Sequence, residues 1–167
     1  MKKKMEKALN NQVNAELYSS YLYLAMESYF QSVSLSGCAT WMRGQVQEEM
    51  FHGIKLYDYV HERGGRVQFE AIAKPETQWE SPLAAFEHIL AHEQKVTQLI
   101  NDLIDVALDV RDHAAKAFLD WFIMEQVEEE ATVGEIVNRL RLIGNDSSGL
   151  FLLDSELGKR VFTLPPK

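Results

Sequence analysis

The sequence predicts an all-α protein: an antiparallel four-helix bundle with one long crossover between its second and third helices, plus a short C-terminal fifth helix. Two observations predict it. Apolar residues recur at the helical period through nearly the whole chain, and only four prolines interrupt its 167 residues. The gaps between periodic stretches are short, except one.

The first helix is expected at about 5–33 and the second at about 36–63, with Ser34 and Ser36 suiting a tight turn between them. Gly64-Gly65 can take the left-handed conformation that ends the second helix. Ser81-Pro82 reads as an N-cap followed by proline at the first helical position, opening a third helix at about 82–108. Asp109 or Asp112 can cap a fourth helix at about 112–143, which Gly144-Asn145 ends. A fifth helix should follow Ser147-Ser148 over about 148–160. The whole chain, 1–167, reads as one domain.

Short connections make the first and second helices antiparallel, and likewise the third and fourth. Residues 65–80 differ. Extended, they span roughly 50 Å at about 3.3 Å per residue, whereas a helix of about 28 residues is about 42 Å long. That link can run the length of the bundle and leave the second and third helices parallel. Val67, Phe69 and Ala71 alternate with Gln68 and Glu70, which predicts a short extended stretch within it.

Composition bounds the function. The formal charge of −8, from 25 acidic and 17 basic residues, disfavours nucleic acid and anionic membrane surfaces and suits a cationic substrate. Cys38 is the only cysteine, so no internal disulfide and no cysteine-built metal site is expected. No apolar run approaches membrane-span length. The basic start Met1-Lys2-Lys3-Lys4 leads into polar residues, unlike a signal peptide, so a cytoplasmic protein is expected.

Projecting each helix at about 100° per residue shows what interrupts its apolar stripe. Seven-residue steps along the first helix give Leu9, Glu16, Tyr23 and Phe30; along the second they give Leu35, Met42, Glu49 and Leu56, with His52 one turn beyond Glu49. The third carries Phe86, Ile89, Leu90, Val96, Ile100, Ile104 and Ala107, with Glu93 alone at its centre. The fourth carries Phe118, Phe122, Val133, Ile136 and Leu140, with Glu125, Gln126 and Glu129 central and Glu130 turned outward. Each of these features has an ordinary explanation by itself. Glu49-x-x-His52 is common on solvated faces, Glu128-Glu129-Glu130 is a usual exposed run, and Tyr23 alone is packing. Together, antiparallel packing brings four acidic centres to one level of the core, with no Lys or Arg on those faces to neutralise them. Buried unpaired carboxylates cost several kcal/mol or lose their charge, so metal cations are the expected partners. Oxygen-rich ligation with one imidazole suits iron or manganese better than structural zinc.

The stretches Ala15-Glu16-Leu17-Tyr18, Gln47-Glu48-Glu49-Met50-Phe51-His52, His92-Glu93-Gln94 and Glu125-Gln126-Val127-Glu128-Glu129-Glu130 resemble the ferritin family, in its bacterial non-haem branch. The resemblance covers essentially the whole chain, including Gly149-Leu150-Phe151-Leu152-Leu153-Asp154. It implies an iron-storing ferroxidase that oxidises Fe(II) with O₂ or peroxide at an intrasubunit di-iron centre. One iron would be held by Glu16, Glu49 and His52; the second by Glu49 as a bridge, Glu93 and Glu129, with Gln126 nearby. A third, weaker site would use Glu48, Glu125, Glu128 and Glu129. Tyr23 would stand beside the centre as a one-electron donor. Met50 occupies the position at which bacterioferritins supply a haem ligand, but non-haem relatives share it, so no haem is expected. The resemblance also implies a closed homo-oligomer of 24 subunits.

Where bacterioferritins keep two Glu-x-x-His motifs, this fourth helix reads Gln126-x-x-Glu129. An oxygen-only second site holds iron less tightly, which suits a centre that passes Fe(III) onward. Two other classes share the bundle: a di-iron peroxidase of the rubrerythrin type or a manganese catalase, and a non-catalytic interaction module. The lack of Cys-x-x-Cys pairs counts against a full rubrerythrin. A mini-ferritin that coats DNA places its site between subunits, unlike the complete set in this chain.

Overall fold

The computed structural model describes residues 1–163, so the last four positions of the expected 1–167 domain lie outside the described residues. Five helices follow one another: α1 Lys3–Ser32, α2 Ser36–Glu62, α3 Pro82–Asp109, α4 His113–Ile143 and α5 Ser147–Leu157. Helices α1 and α2 form one antiparallel pair and α3 and α4 the other. Phe30 stacks near Phe86, at 5.6 Å between ring centroids, so the end of α1 meets the start of α3. Arg63, just past α2, bonds Asp112 at the start of α4 at 3.1 Å. All four long helices are thereby antiparallel to the partners they face.

Local chemistry sets the ends. Ser34 takes a φ of 63° in the α1–α2 turn, and Gly64 and Gly144 take φ of 71° and 56° after α2 and α4. The Ser81 hydroxyl accepts from Ala84 N at 3.1 Å, with Pro82 opening α3. Of the two aspartates that could cap α4, Asp112 does so by accepting from Ala115 N at 3.1 Å; Asp109 pairs with Lys4 at 2.5 Å. The fifth helix starts one residue earlier than expected because the Asp146 carboxylate, not a serine, accepts from Ser148 N and Gly149 N. It ends at Leu157, short of 160.

The crossover runs the bundle's length as expected but pairs with no strand among the described residues. Its backbone is pinned by α1 side chains instead. Arg66 N donates to Glu6 Oε1 at 3.0 Å and Gln68 N to Asn10 Oδ1 at 2.7 Å. Of the alternating apolar residues Val67 is buried, while Phe69 is 64% exposed. At the far end Trp79 packs against Tyr29 and donates to His88 Nδ1 at 3.0 Å.

The core divides into two apolar clusters. One contains Leu22, Phe30, Met42, Phe86, Ile89, Val133 and Leu140; the other contains Leu9, Val13, Leu56, Val96, Ile100, Leu119 and Phe122. On every long helix the gap between them holds the acids: Glu16, Glu49, Glu93 and Glu129, exposed by at most 6%. A helix returns to the same face every three to four residues, and each acid lies near the middle of its helix, so antiparallel packing brings the four to one level.

Candidate metal centre

Glu16 projects from α1, Glu49 and His52 from successive turns of α2, Glu93 from α3, and Gln126 and Glu129 from successive turns of α4. Glu16, Glu49 and His52 each present a ligand atom such that all three lie within 4.8 Å of one another. Within this group Glu16 Oε2, Glu49 Oε2 and His52 Nε2 are buried and lack any hydrogen-bond partner. Buried polar atoms are nearly always paired, and an orphan costs about 1–3 kcal/mol. Two carboxylates and an imidazole that converge from two helices, with three such atoms among them, form a donor set that suits a divalent cation.

The remaining acids are held differently. Glu93 accepts from the Tyr23 hydroxyl and from Gln126 Nε2, the latter at 3.1 Å. It therefore does not stand alone among apolar residues, as its stripe suggests. Glu129 accepts from Gln45 Nε2 at 3.0 Å. A second group brings Glu48, His52 and Glu125 within 4.8 Å of one another. Glu93 and Glu129 belong to neither group, and Glu128 lies on the exposed surface. Glu130 is half-buried and accepts from Thr97 Oγ1 at 2.6 Å, in contrast to the outward position expected for it.

Several supporting residues carry weak sequence signals. Gln12, one turn before Glu16, donates to Glu16 Oε1 at 2.8 Å. Gln45, one turn before Glu49, is fully buried. Their i−4 spacing was visible, but glutamine at such positions is ordinary. His92 sits beside Glu93 and shares a hydrogen bond between Nε2 and Ser19 Oγ at 2.8 Å. Trp121 meets the His52 ring edge-on, with centroids 5.4 Å apart. Met50 is 42% exposed on α2.

Burial dominates the electrostatics. Glu49 and Glu129 are held well above the ordinary carboxylate range by burial and then by neighbouring carboxylates; Gln45 and Arg160 partly offset this at Glu129. Burial pushes Glu93 up to about 7, against the hydrogen bonds from Tyr23 and Gln126. The Tyr23 hydroxyl is raised by burial and by Glu93. Burial lowers His52, and lowers His92 to about 4, so both imidazoles are neutral near pH 7.

These shifts fix a pH dependence. A carboxyl raised in the fold keeps its proton after the unfolded chain has lost its own, so the stability it lends at low pH is lost as pH rises through the folded value. The lowered histidines act in the opposite direction, but only below their unfolded value of 6.5. From pH 6.5 upward the acids act alone. Chelator-treated protein should therefore lose stability between about pH 6.5 and 7.5, on the order of 1 kcal/mol for each acid titrating there. Denaturant unfolding at the two pH values tests this; constant or rising stability would mean that the acids are ionised and compensated in the metal-free fold.

A helical bundle with a buried carboxylate–histidine cluster at mid-height is the architecture of the ferritin-like carboxylate proteins. The chain belongs to that family: residues 6–143 match the ferritin-like domain. It is 43% identical over 157 residues to a bacterial non-heme ferritin of Bacteroides fragilis, covering 94% of this chain and 98% of the relative. To the bacterial non-heme ferritin of Staphylococcus aureus it is 40% identical over 162 residues, covering 97% and 98%. Among solved structures, an engineered closed form of the Archaeoglobus fulgidus ferritin superposes with a TM-score of 0.97 at 52% identity, covering 98% of this chain and 99% of that one. The open-pore ferritin of the same organism superposes at 0.95, also at 52% identity, covering 96% and 99%.

Proposed function

We propose that the protein is a ferroxidase that binds two Fe(II) ions at this centre, oxidises them with O₂ or peroxide, and passes Fe(III) to a mineral store inside a closed shell of its own copies. The observation that carries this reading is the set of three buried, unpartnered atoms on Glu16, Glu49 and His52. Hard oxygen donors with one neutral imidazole suit Fe(II).

One Fe(II) is assigned to Glu16, Glu49 and His52. The second is assigned to Glu49 as bridge, Glu93 and Glu129, with Gln126 alongside. Two irons supply the two electrons that take O₂, with two protons, to hydrogen peroxide; peroxide as oxidant would take two electrons to water. The residues' own work is to gather charge and hold protons. Entry of two dications drives the protons off Glu49, Glu93 and Glu129, because the metal charge replaces the proton's. Gln126 and Gln45 orient Glu93 and Glu129 through their amides. Tyr23 keeps its proton at rest. If it gives up an electron, its hydroxyl proton has Glu93 as acceptor.

Glu48 and Glu125 are assigned to an outer, weaker site, with Glu128 and Glu129 at its margin. The raised Glu125 carboxyl, shifted by partial burial and by the charges of Glu48 and Glu128, fits a cation-accepting position. The exposed apolar side chains Phe151 and Leu152 on α5, at 71% and 68% exposure, support assembly into an oligomer, with 24 subunits as the family expectation.

Anaerobic Fe(II) titration followed by rapid mixing with air tests the reading. Two tight Fe(II) per subunit are expected before mixing. Fast oxidation and growth of a scattering mineral at high iron ratios are expected after it. One tight Fe(II), or peroxide turnover without mineral, would overturn it.

A further inference from the structure

Arg160 follows the end of α5 at Leu157, yet its side chain returns to α2. Nη2 donates to Glu48 Oε2 at 2.6 Å and Nη1 to the Trp41 carbonyl at 3.4 Å. The guanidinium carbon lies 4.6 Å above the Trp41 ring centroid. A Cβ at Gly44 would stand 3.2 Å from Arg160 Nε and 3.3 Å from Cδ, so the absence of a side chain there admits the arginine. Trp41, Gly44 and Glu48 succeed one another at helical spacing on one face of α2 and form a seat for a planar cation.

Glu48 is also one of the three residues of the outer group, with His52 and Glu125. Arg160 thus binds one of the carboxylates that the outer site offers to iron. Its charge reaches deeper too, since Arg160 is among the groups that lower Glu129. Lys55 faces the same region but is held 4.3 Å over the Trp121 ring and makes no ion pair with these acids.

We infer that Arg160 is the resident counter-cation of the outer carboxylates, and that a divalent ion entering between Glu48 and Glu125 displaces it from Glu48. The inference rests on the outer-site assignment made above. A carboxylate that turns to a metal dication loses its hold on a guanidinium, and the two cations repel in a seat that is only 19–24% exposed. Metal occupancy and seating of the segment after α5 then oppose each other. By linkage, the factor by which Arg160 weakens the metal is the factor by which metal loosens Arg160. That segment is held to α5 by few bonds: Lys159 N donates to Glu156 O at 3.0 Å and Arg160 N to Leu157 O at 3.2 Å. Release of the side chain should therefore be felt in these amides.

Zn(II), which is redox-inert and accepts oxygen and imidazole ligands, is the probe, used on the full-length protein. In the wild type, zinc beyond the tight sites should speed hydrogen exchange at Gly158–Arg160 while leaving α5 protected. Arg160→Gln should bind the weaker zinc about 10-fold more tightly, within the usual range of coupling, and its exchange there should already be fast and insensitive to zinc. Arg160→Lys, which restores the charge, should move both readouts back toward wild type. Glu48→Gln should show the fast exchange without the tighter binding. If zinc binds the wild type but leaves exchange at 158–160 unchanged, or if Arg160→Gln binds it no more tightly, the displacement does not occur. If zinc finds no weaker site at all, the outer-site assignment falls, and this inference with it.

Discussion

Glu49→Met should make the metal-free protein more stable and iron oxidation at least about 100-fold slower. Glu49 is 2% exposed, and its Oε2 has no hydrogen-bond partner; the nearest ring nitrogen, His52 Nδ1, stands 3.6 Å away on a neutral imidazole. Met matches its length, carries no charge and continues the stripe from Met42 to Leu56. Removing an unsatisfied buried oxygen should return about 1–3 kcal/mol. For a chain of this size, each kcal/mol raises the melting temperature by about 2–4 °C. The same change deletes the carboxylate assigned to both irons. Loss of a residue that only orients a ligand costs about 10–100-fold, and loss of a shared ligand should cost at least the upper end. Glu93→Leu should behave differently: it strands the Tyr23 hydroxyl and takes one acceptor from the Gln126 amide, which keeps the residue-93 carbonyl and Thr97 Oγ1, so it slows oxidation and also lowers metal-free stability. Glu62→Ala, on the exposed end of α2, is the control for both readouts. Melts of chelated protein and stopped-flow oxidation decide it. A Glu49→Met protein less stable than wild type would mean that the carboxylate is satisfied in the metal-free fold.

The contrast between Glu49 and Glu93 marks where sequence reasoning stops. Period alone places Leu9, Glu16, Tyr23 and Phe30 on one face, because a helix leaves no freedom in which residues share a side. All four are buried. Period also brings the four acids to one level, because antiparallel helices of similar length align at their midpoints. It cannot say which acid is paired, since that depends on side-chain rotamers and on the distance between helices. Tyr23 was visible as a core aromatic on α1; that its hydroxyl reaches Glu93 on α3 was not. Glu130 was misplaced for the same reason: a residue at the edge of a face is settled by what stands opposite it, here Thr97.

Non-helical segments were less legible still. The alternation of Val67, Phe69 and Ala71 is genuine strand patterning, but the neighbour along that stretch is a helix. The crossover's amides therefore pair with Glu6 and Asn10 side chains. Arg160 lies beyond Gly158, where the chain leaves the period that relates one residue to the next. Its partner Glu48 is 112 residues away. Only the folded chain joins them.

Gly37→Ala should undock α5 and cost the bundle several kcal/mol. The start of α2 has no side-chain cap of its own. Its free amides are met from α5: Gly37 N donates to Asp154 Oδ2 at 3.1 Å and Cys38 N to Asp154 Oδ1 at 2.8 Å. A carboxylate at a helix N-terminus is favoured by hydrogen bonding and by the helix dipole. To reach this position the backbones must nearly touch. A Cβ at Gly37 would lie 1.7 Å from the Asp154 carbonyl oxygen and 2.5 Å from its carbon, and these backbone atoms cannot rotate aside. An alanine therefore forces α5 away, breaking the cap and uncovering Leu153 and Leu157, which are 1% and 7% exposed. Re-exposing two leucines costs about 1.5–3 kcal/mol each, and the lost cap about 1 kcal/mol more. An 11-residue helix is too short to persist alone, so α5 should unfold once released. Gly134→Ala is the matched control: its Cβ would meet nothing within 4 Å, so it should be neutral or stabilise α4 by up to about 1 kcal/mol. Circular dichroism, melting temperature and native mass spectrometry of both variants should separate them. Gly37→Ala should lose helix content, melt lower and assemble poorly. If it instead assembles and melts like Gly134→Ala, the seating of α5 on the first turn of α2 does not hold the subunit together.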